Sequence, residues 1–228
     1  GLLRRAAATL EPDDAERRAL LPPLAEALMS LGDFAGARAA LDEALAAADR
    51  HGDERVRGAA RVQAMFVRLY SGDGGGDWSE ASLRVADEVI PVLDRLDASA
   101  ELAAAWRLVV LVHGIAGRYQ KADEAGAKSI AHARRAGSER VVARNGLMMA
   151  MNALHGPLPV PEAIAQCEQL LAAGLGERQI ECNVRCALAQ LRAMNGELDA
   201  ARTHYRQARA MLRELGQGVY AASTAIDL

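Results

Sequence analysis

The sequence predicts an all-α fold, an α-α superhelix of about five helical hairpins with a partial repeat at each end, and three observations carry that expectation. The first is composition: 51% of the 228 residues are hydrophobic but only 4% aromatic. Ala, Leu and Arg, which are good helix formers, dominate, and β-branched runs are nearly absent. The second is the stretch from Trp106 to Arg135. There Trp106, Val109 and Val110 share one helical face, Gly117 marks a turn, and Ala122, Gly126 and Ser129 share a face of a second helix. Small side chains on that face let two antiparallel helices approach closely. The third is registry. Gly32, Gly117 and Gly196 each stand five residues before a small residue (Ala37, Ala122 and Ala201), and a further glycine (Gly52, Gly137 and Gly216) follows each alanine by fifteen. The alanines recur at intervals of two units of roughly forty residues each.

Taken in order, residues 2–10 read as the second helix of a repeat whose first helix is missing, with Pro12 as its stop. Asp13 or Asp14 then caps the next helix. The first full repeat runs through Leu24, Ala25, Leu28, the turn Leu31-Gly32-Asp33-Phe34, and Ala37, Leu41 and Ala44. Pro22 and Pro23 each remove a helical N–H, so this first helix is expected to kink or to begin late. In the second repeat, a helix from Val56 to Tyr70 leads into the connector 71–77, whose glycines suit a flexible surface loop. Trp78 opens a helix to about Leu96, with Pro91 as an expected kink. The third repeat contains the Trp106–Arg135 stretch, with Tyr119 plugging the open end of its hairpin. The fourth has helices over Ser138–Leu154 and through Ala163, Cys167 and Leu170, separated by the proline-rich 156–161. The fifth has Leu188 and Ala189 in one helix and Ala201, Tyr205 and Ala208 in the next. A single domain over 1–228 is expected, with a partial repeat at 1–12, repeats at about 13–52, 53–97, 98–137, 138–176 and 177–216, and the start of a sixth at 217–228. Both ends read as cut from something longer.

The Trp106–Arg135 pattern resembles a tetratricopeptide repeat, in which W-x2-L-G-x2-Y precedes A-x3-F-x2-A over about 34 residues. The units here are longer, and their boundary Gly52-Asp53-Glu54-Arg55, the Trp78-Ser79-Glu80 start and the segment from Pro157 to Ile164 are similar to a narrower group. They resemble the C-terminal helical arm of bacterial proteins joining a class III adenylate or guanylate cyclase to an AAA-type ATPase, or the arm of LuxR-type regulators. That resemblance spans essentially the whole chain and implies a regulatory module of a larger cytoplasmic signalling protein. The alternative it leaves open is a stand-alone adaptor that binds a peptide or partner helix.

Chemistry is sparse. The segment 72–77 lacks the Lys and Ser/Thr of a phosphate-binding loop, so no catalytic residue and no cofactor is expected. The net charge of −3 argues against direct nucleic-acid binding, and no window reaches the length of a membrane span. Three cysteines fit a reducing compartment rather than a disulfide framework. Cys182 and Cys186 stand one helical turn apart and with Cys167 could hold zinc, although the paired spacing of structural sites is missing, and buried small apolar residues are the expected identity. No metal ligand is assigned. The five histidines are scattered, and His113 and His204 read as core or groove filling. Met148, Met149 and Met151 suit an irregular core or an adaptable peptide groove.

A hairpin stack of this kind presents a concave wall of first helices that binds an extended peptide, a partner helix or another domain of the same chain. The resemblance places Glu26, Met29, Arg107, Leu111, Met151, Gln190 and Met194 on that wall. Their largely apolar character favours a protein partner over an anionic ligand. End-to-end pairing into a homodimer is a further expectation, since interior repeats lack polar caps.

Overall fold

The computed structural model describes residues 2–73, 75–172 and 178–215, and every regular element among them is helical. Eleven helices are described: α1 Leu2–Thr9, α2 Ala15–Ser30, α3 Phe34–His51, α4 Glu54–Tyr70, α5 Trp78–Arg95, α6 Ser99–Ile115, α7 Tyr119–Arg135, α8 Glu139–His155, α9 Val160–Ala172, α10 Arg178–Met194 and α11 Leu198–Glu214. They form two compact units, Gly1–Val112 and His113–Leu228. Within each unit consecutive helices pair as antiparallel hairpins and each hairpin stacks on the next, so each unit is a short α-solenoid.

In the first unit the hairpin turns follow from local chemistry. Gly32 takes φ 78° and Gly52 φ 66°, left-handed values that cost a side chain bearing a Cβ about 1–2 kcal/mol. The Asp33 carboxylate accepts from the Gly36 N–H at 2.9 Å, and Asp53 accepts from Val56 N–H at 3.0 Å, each satisfying a donor at a helix start. At α2 the expected capping changes. Asp14 stands at the N-cap but accepts from the Glu11 N–H at 2.9 Å instead, while Asp13 lies 3.3 Å from both Arg50 and His51 at the end of α3. Nor does α2 begin late: it starts at Ala15 and runs through both prolines, Pro22 buried and Pro23 exposed. The carbonyls of Arg18 and Ala19 thereby lose their usual i+4 donors.

Two cores fill this unit. Leu21, Leu24, Leu28, Ala37, Leu41, Ala44 and Ala60 close the α2–α3–α4 layer. Phe66, Trp78, Leu93, Leu102 and Leu108 close α4–α5–α6, with the Trp78 indole N–H donating to the Met65 carbonyl at 2.8 Å. The connector between α4 and α5, expected to be a flexible loop, carries side-chain contacts at both ends. Asp73 pairs with Arg38 and accepts from the Ser71 hydroxyl at 2.9 Å, and Arg68 reaches Asp77 at 2.6 Å.

In the second unit the close approach expected at Ala122, Gly126 and Ser129 is made against α8, the first helix of the next hairpin: all three are buried, and Asn145 of α8 donates to the Ser129 hydroxyl at 2.8 Å. Asn152, two turns further along α8, donates to Asp123 at 2.9 Å. Gly117 and Gly196 take φ 68° and 82° at their turns. The registry glycine Gly216 and the expected sixth repeat at 217–228 lie outside the described residues. In place of a tight turn, residues 156–159 join α8 to α9. A Cβ on Gly156 would lie 3.1 Å from that of Tyr119, so the start of α7 runs close to this connector. The main core here is Ala150, Ala163, Ile164, Cys167, Val184, Leu188 and Leu191.

Candidate protein-binding face

The residues expected on the first-helix wall fall into one group in each unit. In the first unit α2 supplies Glu26 and Met29 and α6 supplies Arg107 and Leu111, all half-buried. Three of them converge on one core. The Arg107 guanidinium lies 4.0 Å from the centroid of the Phe66 ring, and Met29 and Leu111 pack against the cluster that holds Phe66. Phe66 is fully buried, so its ring forms a floor over which a cation is held by the π face. Met65 and Leu69 of α4 pack on the same cluster. These α4 residues were not picked out from the sequence, although Met65, Phe66 and Leu69 stand at i, i+1 and i+4, the spacing of one helical face.

In the second unit Met151 of α8 and Gln190 of α10 are half-buried, and Met194 of α10 is 64% exposed. α8 and α10 pack side by side. Met148 and Met149 are half-buried too, and a Cβ on Gly114 would stand 3.3 Å from the Met148 methyl, so this thioether fills the space that a glycine leaves.

The cysteines do not converge. Cys167 is buried in the α8–α9–α10 core, whereas Cys182 and Cys186 lie on the other side of α10, against Ala208, Met211 and Leu212 of α11. The Cys182 thiol donates to the Ala208 carbonyl at 3.3 Å. Burial pushes the Cys167 thiol up to about 11, with Glu168 adding to the shift, and burial likewise raises Cys182. Among the described residues no cluster of three His, Cys, Asp or Glu side chains is placed to hold a metal ion. A thiol probe at pH 8 is therefore expected to label Cys186, the one partly exposed cysteine, well before Cys167 and Cys182. Equal labelling of all three in the folded protein, read by peptide mass mapping, would contradict this arrangement.

The histidines are equally plain. Burial, then the positive charges of Arg118 and Lys121, lowers the pKa of His113, and burial with Arg185 and Arg192 lowers that of His204. Both are held neutral at physiological pH. Among the described residues no helix is long and apolar enough to cross a membrane.

No protein-family model matches the chain, and no curated protein matches it in sequence. Solved structures do. The crystal structure of BtubC (BKLC) from P. vanneervenii superposes with a TM-score of 0.65 at 17% identity, over 94% of this chain and 87% of that one. A signal transduction ATPase with numerous domains (STAND) from Pyrococcus horikoshii, a protein with a tetratricopeptide repeat sensor, aligns with 98% of this chain and 41% of its own at 12% identity and a TM-score of 0.44. The first likeness is one of fold, and the second is too loose to bear on this chain. Its stacked antiparallel hairpins, with glycine at the turns and small residues at the close approaches, make the fold an all-α solenoid of helical hairpins.

Proposed function

We propose that this chain is a non-catalytic protein-interaction and regulatory module of a larger bacterial signalling protein, cytoplasmic, whose parent carries a cyclase, ATPase or DNA-binding domain. Its partner is a protein or peptide, free or part of the same parent chain, bound on the first helices. The observation that supports this reading best is that Arg107 lies over the Phe66 ring while Met29 and Leu111 pack against the cluster that holds Phe66. Three neighbouring first helices there combine partly exposed apolar side chains with a cation held over an aromatic floor. Such a mixture of apolar contact and a positioned Arg is typical of the energetic centre of a protein interface. Glu26, Met151, Gln190 and Met194 extend the proposed face along the first helices of their own units.

The test is capture of partners from source-cell lysate by the immobilised chain, compared with an Arg107→Glu, Leu111→Ala double variant of matched helicity. Loss of the captured protein by the folded double variant is expected. Undiminished capture would exclude this face. Blotting the same lysate for the native polypeptide then separates a large signalling parent, seen as a band several times heavier than 24.2 kDa, from a stand-alone adaptor near that mass.

A further inference from the structure

The second unit carries an arginine stripe that lies on a second helix, away from the first-helix face. Arg202, Arg206, Arg209 and Arg213 of α11 succeed one another at intervals of four, three and four residues, and no Asp or Glu interrupts them. That spacing keeps all four on one helical face. It lies beside the buried stripe of Ala201, Tyr205, Ala208 and Leu212. Arg202, Arg206 and Arg213 are exposed, and Arg209 is half-buried with its Nε shielded and without an acceptor among the described residues. Leu198, 54% exposed, continues the same face one turn earlier.

What sets these arginines apart is that several without a carboxylate partner among the described residues share one helical face. Elsewhere the molecule uses Arg–carboxylate bridges to join neighbouring helices: Arg17 to Glu43, Arg55 to Glu101, Arg61 to Glu88, Arg178 to Glu214 and Arg192 to Glu168. On α11 Arg202 reaches only Asp199 of its own helix, at 3.4 Å, and Arg206, Arg209 and Arg213 meet no carboxylate among the described residues. Four guanidinium groups along about 16 Å of helix repel one another, and like charges at i, i+4 destabilise a helix.

We propose that this face of α11 docks an acidic α-helix of a protein partner, whose carboxylates at i, i+4, i+7 and i+11 pair with the four arginines while an apolar residue meets Leu198. The forked guanidinium suits bidentate carboxylate pairing, and the chain already bridges helices in this way. A nucleic-acid strand fits less well. The one aromatic of α11, Tyr205, is buried and offers no stacking platform, and the whole chain is net negative.

The test uses the full chain and a fluorescently labelled alanine-rich helical peptide with Glu at i, i+4, i+7 and i+11, read by anisotropy at low salt. The Glu peptide is expected to bind, its Gln counterpart not to, and added salt to weaken the complex. Arg202→Glu, Arg206→Glu, Arg213→Glu together should weaken binding by about tenfold or more. The same reversal at Arg5, Arg84 and Arg134, which lie off this face, should leave binding unchanged. A Lys version of the peptide should then bind the reversed chain, a gain that misfolding cannot imitate; if the triple variant does not fold, the single Arg206→Glu is read in the same way. Equal binding of the Glu peptide by a folded reversed chain overturns the proposal. So does preferential binding of duplex RNA or phosphatidylserine vesicles that the reversal abolishes while the Glu peptide is ignored.

Discussion

Replacing Phe66 by Ala is expected to destabilise the first unit by about 3–5 kcal/mol, the usual cost of emptying a large buried aromatic site. The ring is fully buried, and Val62, Leu93, Leu102 and Leu108 share its cluster and are themselves almost completely enclosed. Helices on three sides limit how far the cavity can collapse, which places the cost toward the upper part of that range. The loss should also be local. Hairpins in a stack of this kind contact only their neighbours, so stability is close to a sum of hairpin and nearest-neighbour contributions. Amide exchange in α4, α5 and α6 should therefore accelerate strongly while α10 and α11 keep their protection. Uniform acceleration across all helices would show instead that the whole chain unfolds as one cooperative body. Phe66→Ala also removes the ring beneath Arg107, so it should impair partner capture on the first-helix face even where the fold survives.

Enlarging Ala122 to Leu should cost about 1–3 kcal/mol by overpacking. Ala122 is fully buried, at the start of the stripe with Gly126 and Ser129 that brings α7 close to α8. Three added carbons have no space there unless α7 moves away from its neighbours. Such a shift would also strain the hydrogen bonds from Asn145 to Ser129 and from Asn152 to Asp123, which depend on the same approach. A lower thermal midpoint and faster exchange in α7 and α8 are the expected readings. A neutral result would mean that this approach is looser than the buried small side chains imply.

Much of this architecture was legible in the residues because it rests on local rules. A glycine that must adopt positive φ and an alanine that must fit between helices are requirements of single positions. Their recurrence at a fixed spacing declares a repeated hairpin before any contact is known. Where expectation and structure part, long-range contacts decide. The prolines of α2 do not delay the helix. Pro22 is buried among Leu21, Leu24 and Ala25, and this packing can offset the hydrogen bonds that the prolines remove. Asp14 sits at a cap but gives its carboxylate to Glu11, and Asp13 goes to the end of α3, because both have alternative donors nearby. Asp73 of the glycine-rich connector pairs with Arg38 from another hairpin, a partner 35 residues away that no local pattern could name.

The candidate faces divide in the same way. By itself the sequence determined that the chain is helical, where its hairpins turn and which alanines are small enough for close approaches, since these depend on periodicity and on backbone geometry. Tertiary structure alone decided that Arg107 lies over Phe66 while Met29 and Leu111 pack on the same cluster, that Cys167 faces away from Cys182 and Cys186, and that among the described residues the arginines of α10 find carboxylates while three of those on α11 do not. Periodicity sets the direction in which a side chain leaves its helix, whereas its partner is set by which helix packs against that face.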